Sequence, residues 1–275
     1  MITHEEFIKK YNLKESDYYQ ENEWLHILNF KKSFDVIIDE LPPKIKFTRN
    51  CNFTIILKNI KKIPLNVIFN NNGDVKIPYI EEISENVIFN NNGDVSLGDF
   101  LDNYNIGKLK KIHSSVKFIN NGDIHLYSII DKIPSEIVFN NIGEVNLYYV
   151  KEISKNVIFN NKGNLYLGEL EQIDPSVKFI NNGDVSFFIF VDKIPKGTVF
   201  NNKGDVIIPY AIKYISDVIF NNNGDVIFDY QEVIFSNGVK FNNKGFIRDV
   251  SINIKIPSFF DKTKYLNKTL KQIYK

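Results

Sequence analysis

The sequence predicts an all-β protein: a parallel β-solenoid of about ten coils with short helical caps at both ends. Three observations carry that expectation. The stretch VIFNNNGDV occurs at 67–75, 87–95 and 218–226, and near-copies of it recur along the chain. Aligned on the motif glycine, the copies fall at Gly73, Gly93, Gly122, Gly143, Gly163, Gly183, Gly204, Gly224 and Gly245, spaced 20 or 21 residues apart except for one step of 29. Each copy also holds two short alternating runs rich in β-branched and aromatic residues, the pattern of brief strands and not of helices.

The elements follow in chain order. THEEFIKKYN opens with a capping box, Thr3 to Glu6, and predicts a short helix inside an N-terminal helical cap over 1–40. The repeat domain is placed at 41–250. It begins with a degenerate copy, KIKFTRNCNFTI, in which Cys51 is aligned with the motif glycine. Each full unit reads roughly I-P-x-x-V-x-F-N-N-x-G-D-V-x-L. V-x-F is one strand (Val67/Phe69, Val87/Phe89 and so on) and V-x-L is another (Val75/Ile77, Val95/Leu97). A third apolar position, held by Ile80, Phe100, Val150, Leu170 and Phe190, turns the chain inward at a corner. The 29-residue step is explained by an insertion, LDNYNIGKLKK at 101–111. The C-terminal 251–275 reads as an amphipathic helix, a second cap with Phe259, Phe260, Tyr265, Leu266 and Leu270 on its packing side.

Strands this short pair with their counterparts in the next coil, at about 4.8 Å per coil. The phenylalanines then form a ladder through the core. The second Asn of the motif is the same in all nine glycine-bearing units, from Asn71 to Asn243. It is expected to bond the backbone of its own turn and the Asn of the next coil, while Gly and Asn supply left-handed backbone at the corner.

Composition narrows the function classes. Hydrophobic content of 43% and charged content of 24% suit a folded protein, and a net charge of +1 gives no global pull toward nucleic acid. Arg49 and Arg248 are the only arginines, which weakens readings built on bidentate phosphate or base recognition. One cysteine excludes an internal disulfide framework. The charged start and the lack of a spanning apolar segment set a cytoplasmic expectation (host cytoplasm if the chain is phage-encoded) with no membrane role. His4, His26, His113 and His125 lack metal-ligand spacing, and no catalytic or nucleotide-binding motif appears. The acidic position after the glycine runs Asp74, Asp94, Asp123, Glu144, Asn164, Asp184, Asp205, Asp225 and Phe246; the interruptions fit a solvated turn better than calcium. No enzyme activity, metal, cofactor or small-molecule ligand is expected.

Binding is the remaining reading. The residue between Val and Phe should point outward, and it runs Ile68, Ile88, Lys117, Val138, Ile158, Lys178, Val199, Ile219, Lys240. Six aliphatics among nine outward positions suggest a contact face for a protein partner or for another copy of the chain. The insertion offers a second candidate surface through Asp102, Tyr104 and Lys108.

The leader EEFIKKYNL, followed by units such as EISENVIFNNNGDVSLGDF and KIPSEIVFNNIGEVNLYYV, resembles short-coil leucine-rich-repeat-like proteins of bacteria and their phages. The resemblance spans nearly the whole chain. It implies a leucine-rich-repeat-like β-solenoid from a phage or a low-GC bacterium, and it implies no catalytic or ligand residues. The expectation is therefore a non-enzymatic protein-binding scaffold. The alternatives are a structural or self-assembling protein and, third, nucleic-acid binding.

Overall fold

The computed structural model describes residues 2–30, 35–98, 109–127, 130–188, 191, 193–229, 233–236 and 238–249. It is a parallel β-solenoid of about ten coils. The V-x-F strands stack into a sheet of 12 strands and the V-x-L strands into one of 11. Alternation within each strand decides which side is buried: Val67 and Phe69 are fully buried while Ile68 between them is half-buried.

The core is a set of vertical rows. Phenylalanines 47, 69, 89, 118, 139, 159, 179, 200, 220 and 241 stack ring on ring, with centroids 4.9–5.6 Å apart. The tilt between neighbouring rings reaches 33° only at Phe179–Phe200, where Phe187 meets Phe200 edge-on. Of the third apolar positions, Ile80, Val150 and Leu170 are buried as expected, and Phe100 and Phe190 lie outside the described residues.

A third side was not read from the sequence. Two- to four-residue strands, among them Lys62–Ile63, Glu82–Ile83, Val150–Ile153 and Tyr214–Ile215, pair in parallel across neighbouring coils and bury the isoleucine of the I-P position. Their outward residues form charge ladders: Glu81 contacts Lys61 at 2.9 Å and Lys110 at 2.5 Å, and Lys62 contacts Glu82 at 3.0 Å.

The N-terminal helix is His4–Lys10. Its capping box is formed by the Glu6 N–H donating to Thr3 Oγ1 (3.2 Å) and the Thr3 N–H donating to Glu6 Oε2 (2.8 Å). Phe7 anchors it in the core against Tyr11 and Phe30. The expected N-terminal cap, 1–40, holds strands as well as this helix. Tyr18–Glu21 and Trp24–Ile27 form a hairpin about Asn22 and Glu23, both with positive φ, and Trp24–Ile27 pairs in parallel with Ile45–Phe47. Asp35–Ile38 likewise opens the second sheet. The antiparallel hairpin strand is thus the first sheet's outermost strand. The expected C-terminal cap, 251–275, lies outside the described residues.

The motif works differently from the expectation. The nine motif glycines do not have positive φ; the left-handed residue is the one before the V-x-F strand, as at Asn66, Asn86, Asn156 and Asp217. Glycine is needed instead for close approach between coils. A Cβ on Gly143 would lie 2.5 Å from the Gly122 carbonyl carbon and 2.2 Å from Asp123 Oδ1. The second Asn does bond its own turn: Asn141 Nδ2 donates to the carbonyls of Gly143 (2.9 Å) and Glu144 (3.1 Å). Across coils, however, it donates to the preceding motif glycine's carbonyl (Gly122, 3.2 Å) and not to another Asn. Asn-to-Asn bonds run along the flanking positions, as in Asn90–Asn70 (2.9 Å) and Asn92–Asn72 (2.6 Å).

The acidic position is also structural. Asp74 Oδ1 accepts the Asp94 N–H (3.0 Å), Asp184 Oδ1 accepts that of Asp205 (2.7 Å), and Asp205 Oδ1 that of Asp225 (2.7 Å). Asn164 serves equally, its Oδ1 taking the Asp184 N–H at 2.9 Å, which explains why an amide interrupts the acidic series. Register corrects one alignment as well. The Asn72 N–H donates to the Cys51 carbonyl as that of Asn92 does to Asn71, so Cys51 stands in the place of the buried Asn and not of the glycine. Its Sγ donates to the Ile27 carbonyl at 3.3 Å, and burial pushes the thiol up to about 11.

Candidate functional site: the outer face of the long sheet

Strand register brings the nine outward residues of the V-x-F strands into one row. Ile68 pairs with Ile88, Ile88 with Lys117, Lys117 with Val138, Val138 with Ile158, and Ile158 with Lys178. Phe179 pairs with Phe200, which puts Lys178 beside Val199, and Val199, Ile219 and Lys240 complete the row. Lys46 adds one more place at the N-terminal end, next to Ile68. The aliphatics are half-buried apart from the more open Val138, and the lysines at 117, 178 and 240 are exposed.

The row has a period that single strands hide. Lysine occurs at Lys46, Lys117, Lys178 and Lys240, with two aliphatics between each pair. At about 4.8 Å per coil, the ammonium groups repeat every 14 Å or so. Carboxylates are absent from this row, so the lysines have no partner within it. One border is lined by amides, Asn140–Asn160 (2.8 Å) and Asn201–Asn221–Asn242 (3.0 Å each), and is broken by Ile119 and the exposed Ile180 in the two central lysine coils. At its N-terminal end the face closes on Tyr19, stacked on His26 at 4.3 Å, and His26 pairs in register with Lys46. Burial, then the Lys46 charge, lowers the His26 pKa.

The second candidate surface, Asp102, Tyr104 and Lys108, lies outside the described residues. Elsewhere, a groove of about 420 Å³ beside the N-terminal helix is lined by Ile2, Leu41, Ile60 and Leu65, with Lys61 at its rim. Lys61 is already paired to Glu81. Sequence reasoning also missed a cluster on the second sheet, Asp94, Asp123 and His125, which coil stacking brings together from positions 29 and 31 residues apart. Among the described residues no helix is long and apolar enough to cross a membrane.

No family model, curated protein or solved structure matches this chain.

Proposed function

We propose that the protein is a binding scaffold whose recognition surface is the outer face of the V-x-F sheet, and that its partner is a protein segment carrying carboxylates among apolar side chains. The lysine period is the observation that supports this reading. Half-exposed aliphatics alone would suit another copy of the chain. Yet a two-fold pairing of this face with itself, centred on the row, sets lysine against lysine. A pairing shifted by one coil buries each lysine against an aliphatic. Both arrangements are unfavourable, because like charges repel and an unpaired buried ammonium is costly. A foreign surface with acidic groups near a 14 Å repeat meets neither penalty. A leucine-rich-repeat-like, phage-borne protein acting on a host factor is the finer form of the proposal. Self-association is the competing one.

The test pairs affinity purification from the producing cells' lysate with size analysis of the pure protein. Two triple variants are run beside the parent: Ile88→Lys, Ile158→Lys, Ile219→Lys, and Lys117→Glu, Lys178→Glu, Lys240→Glu. A protein that co-purifies with the parent and is lost with both triples supports the face. Recovery of only the chain's own copies replaces the scaffold reading with self-assembly. Equal recovery by parent and variants removes the face as the recognition surface.

A further inference from the structure

The second sheet carries a constellation unlike the rest of its acidic ladder. Asp94 and Asp123 occupy the same turn position in consecutive coils, and His125 stands two residues beyond Asp123, facing outward on the strand Ile124–Leu126. One donor atom from each of the three lies within 4.8 Å of the others, and His125 Nε2 is 3.9 Å from Asp123 Oδ2. The ladder pre-orients both carboxylates. Asp94 Oδ1 accepts the Asp123 N–H and Asp123 Oδ1 accepts the Glu144 N–H, each at 2.8 Å. One oxygen of each is therefore tied to the stack and the other is left to point outward, the role outer hydrogen bonds play at metal sites. The imidazole is fixed by stacking on Tyr127, centroids 5.1 Å apart and planes 6° from parallel.

Other acidic rungs are answered by different means. Asp74 has Lys76 at 3.7 Å, Asp225 has Arg248 at 2.5 Å, and Glu144 accepts from the Tyr166 hydroxyl at 3.4 Å. Asp184 and Asp205 also stand in consecutive coils, but the outward residues beside them, Ser186 and Ile207, bring no ring nitrogen. Among the described residues, no other three such side chains converge.

Unsatisfied atoms next to the cluster supply a second, independent observation. Asn146 pairs in register with His125 and shares its outer face, yet it is only 8% exposed and its Oδ1 has no hydrogen-bond partner. His125 Nδ1 is likewise buried without a partner. An oxygen such as Asn146 Oδ1 can accept a donor or a cation within reach, although the buried motif asparagines from Asn71 to Asn243 leave Oδ1 unpaired in the same way. Asp123 and His125 lie in the preceding coil and Asp94 in the one before that.

We infer that Asp94, Asp123 and His125 bind a divalent transition-metal cation. One ring nitrogen with two carboxylates suits zinc better than calcium or magnesium, which prefer all-oxygen sets. Tetrahedral zinc, with bonds of about 2.0–2.1 Å, holds its ligands roughly 3.3 Å apart, so donors now within 4.8 Å of one another close in by up to about 1.5 Å. The ion bridges the two coils that the 29-residue step separates, from Gly93 to Gly122. Because it binds the folded chain, it raises the unfolding temperature.

The experiment titrates the metal-stripped, full-length protein with zinc chloride by calorimetry and follows the thermal midpoint in parallel. Asp94→Asn, Asp123→Asn and His125→Gln are the site variants; Asp205→Asn and His113→Gln are the controls. Asparagine keeps the ladder's acceptor, as Asn164 does for the Asp184 N–H, so the two Asp variants remain folded. The expected result is one zinc per chain, a raised midpoint, and binding weakened about tenfold or more in each site variant but not in the controls. Should His125→Gln fail to fold by circular dichroism, the two Asp variants decide. Absence of zinc binding, unchanged affinity in the Asp variants, or equal weakening in the controls overturns the assignment.

Discussion

Replacing Gly143 with alanine tests why the motif needs glycine. The added Cβ would meet the Gly122 carbonyl carbon at 2.5 Å, its oxygen at 2.6 Å and Asp123 Oδ1 at 2.2 Å, two of them backbone atoms that cannot swing away. The coils must part there, and two bonds that cross the same step open. One is charge-assisted, Glu144 N–H to Asp123 Oδ1 at 2.8 Å; the other is neutral, Asn141 Nδ2 to the Gly122 carbonyl at 3.2 Å. Together they are worth about 2–4 kcal/mol. Alanine's stiffer unfolded chain returns about 0.4–1 kcal/mol. A net loss of about 1–3.6 kcal/mol follows. Urea unfolding monitored by far-ultraviolet circular dichroism reads it, with Ile142→Ala as the exposed neighbouring control. Gly143→Asn separates the two explanations. A left-handed turn would accept asparagine more readily than alanine, whereas a close approach between coils rejects it at least as strongly. An alanine loss under about 0.5 kcal/mol, or an asparagine variant milder than the alanine one, refutes the close-approach argument.

The ladder's acceptor role predicts that Asp205→Ala costs about 1–3 kcal/mol, because it strands the Asp225 N–H, whereas Asp205→Asn costs much less. Equal losses in denaturant melts would show that charge, not the acceptor, matters there. His26 predicts a pH effect. Its lowered folded pKa means the unfolded chain binds more protons between that value and the ordinary histidine range near 6.5, so its stabilising contribution is present above about pH 6.5 and falls away as pH drops. Lys46 and Glu21 act on it in opposite senses, and His26→Gln is expected to flatten the stability profile between about pH 7 and 5. A slope unchanged in that variant would remove His26 from the account.

Much of the architecture is legible because it repeats. The spacing of the glycines, the V-x-F and V-x-L alternation and the capping box at Thr3 each name an element that the protein contains. The third side escaped because a strand such as Glu82–Ile83 is too short to alternate. The roles within the motif escaped for another reason. Which atom of Asn141 or Asp123 bonds which coil depends on the stacking register, and the register of the degenerate copy was off by two residues at Cys51. The cluster at Asp94, Asp123 and His125 is invisible to any search for local ligand spacing, since its members become neighbours only when one coil lies on the next. The outward row could be named residue by residue, but its meaning lay in the interval between lysines.

That interval gives the surface a reading frame that the fold itself lacks. Most coils bond to their neighbours through the same kinds of contact, a phenylalanine stack, an asparagine amide and a side-chain oxygen at the acidic position, so little in the body records how many coils it has. Excising 139–158 would rejoin Val138 to Phe159 and leave each kind of contact in place. The outer face would not be indifferent: Lys178 would follow Val138 directly, and every lysine beyond the cut would slip by one place relative to those before it. Removing three successive coils would restore the phase. Growth or loss of single coils thus preserves the protein while rewriting what its surface presents.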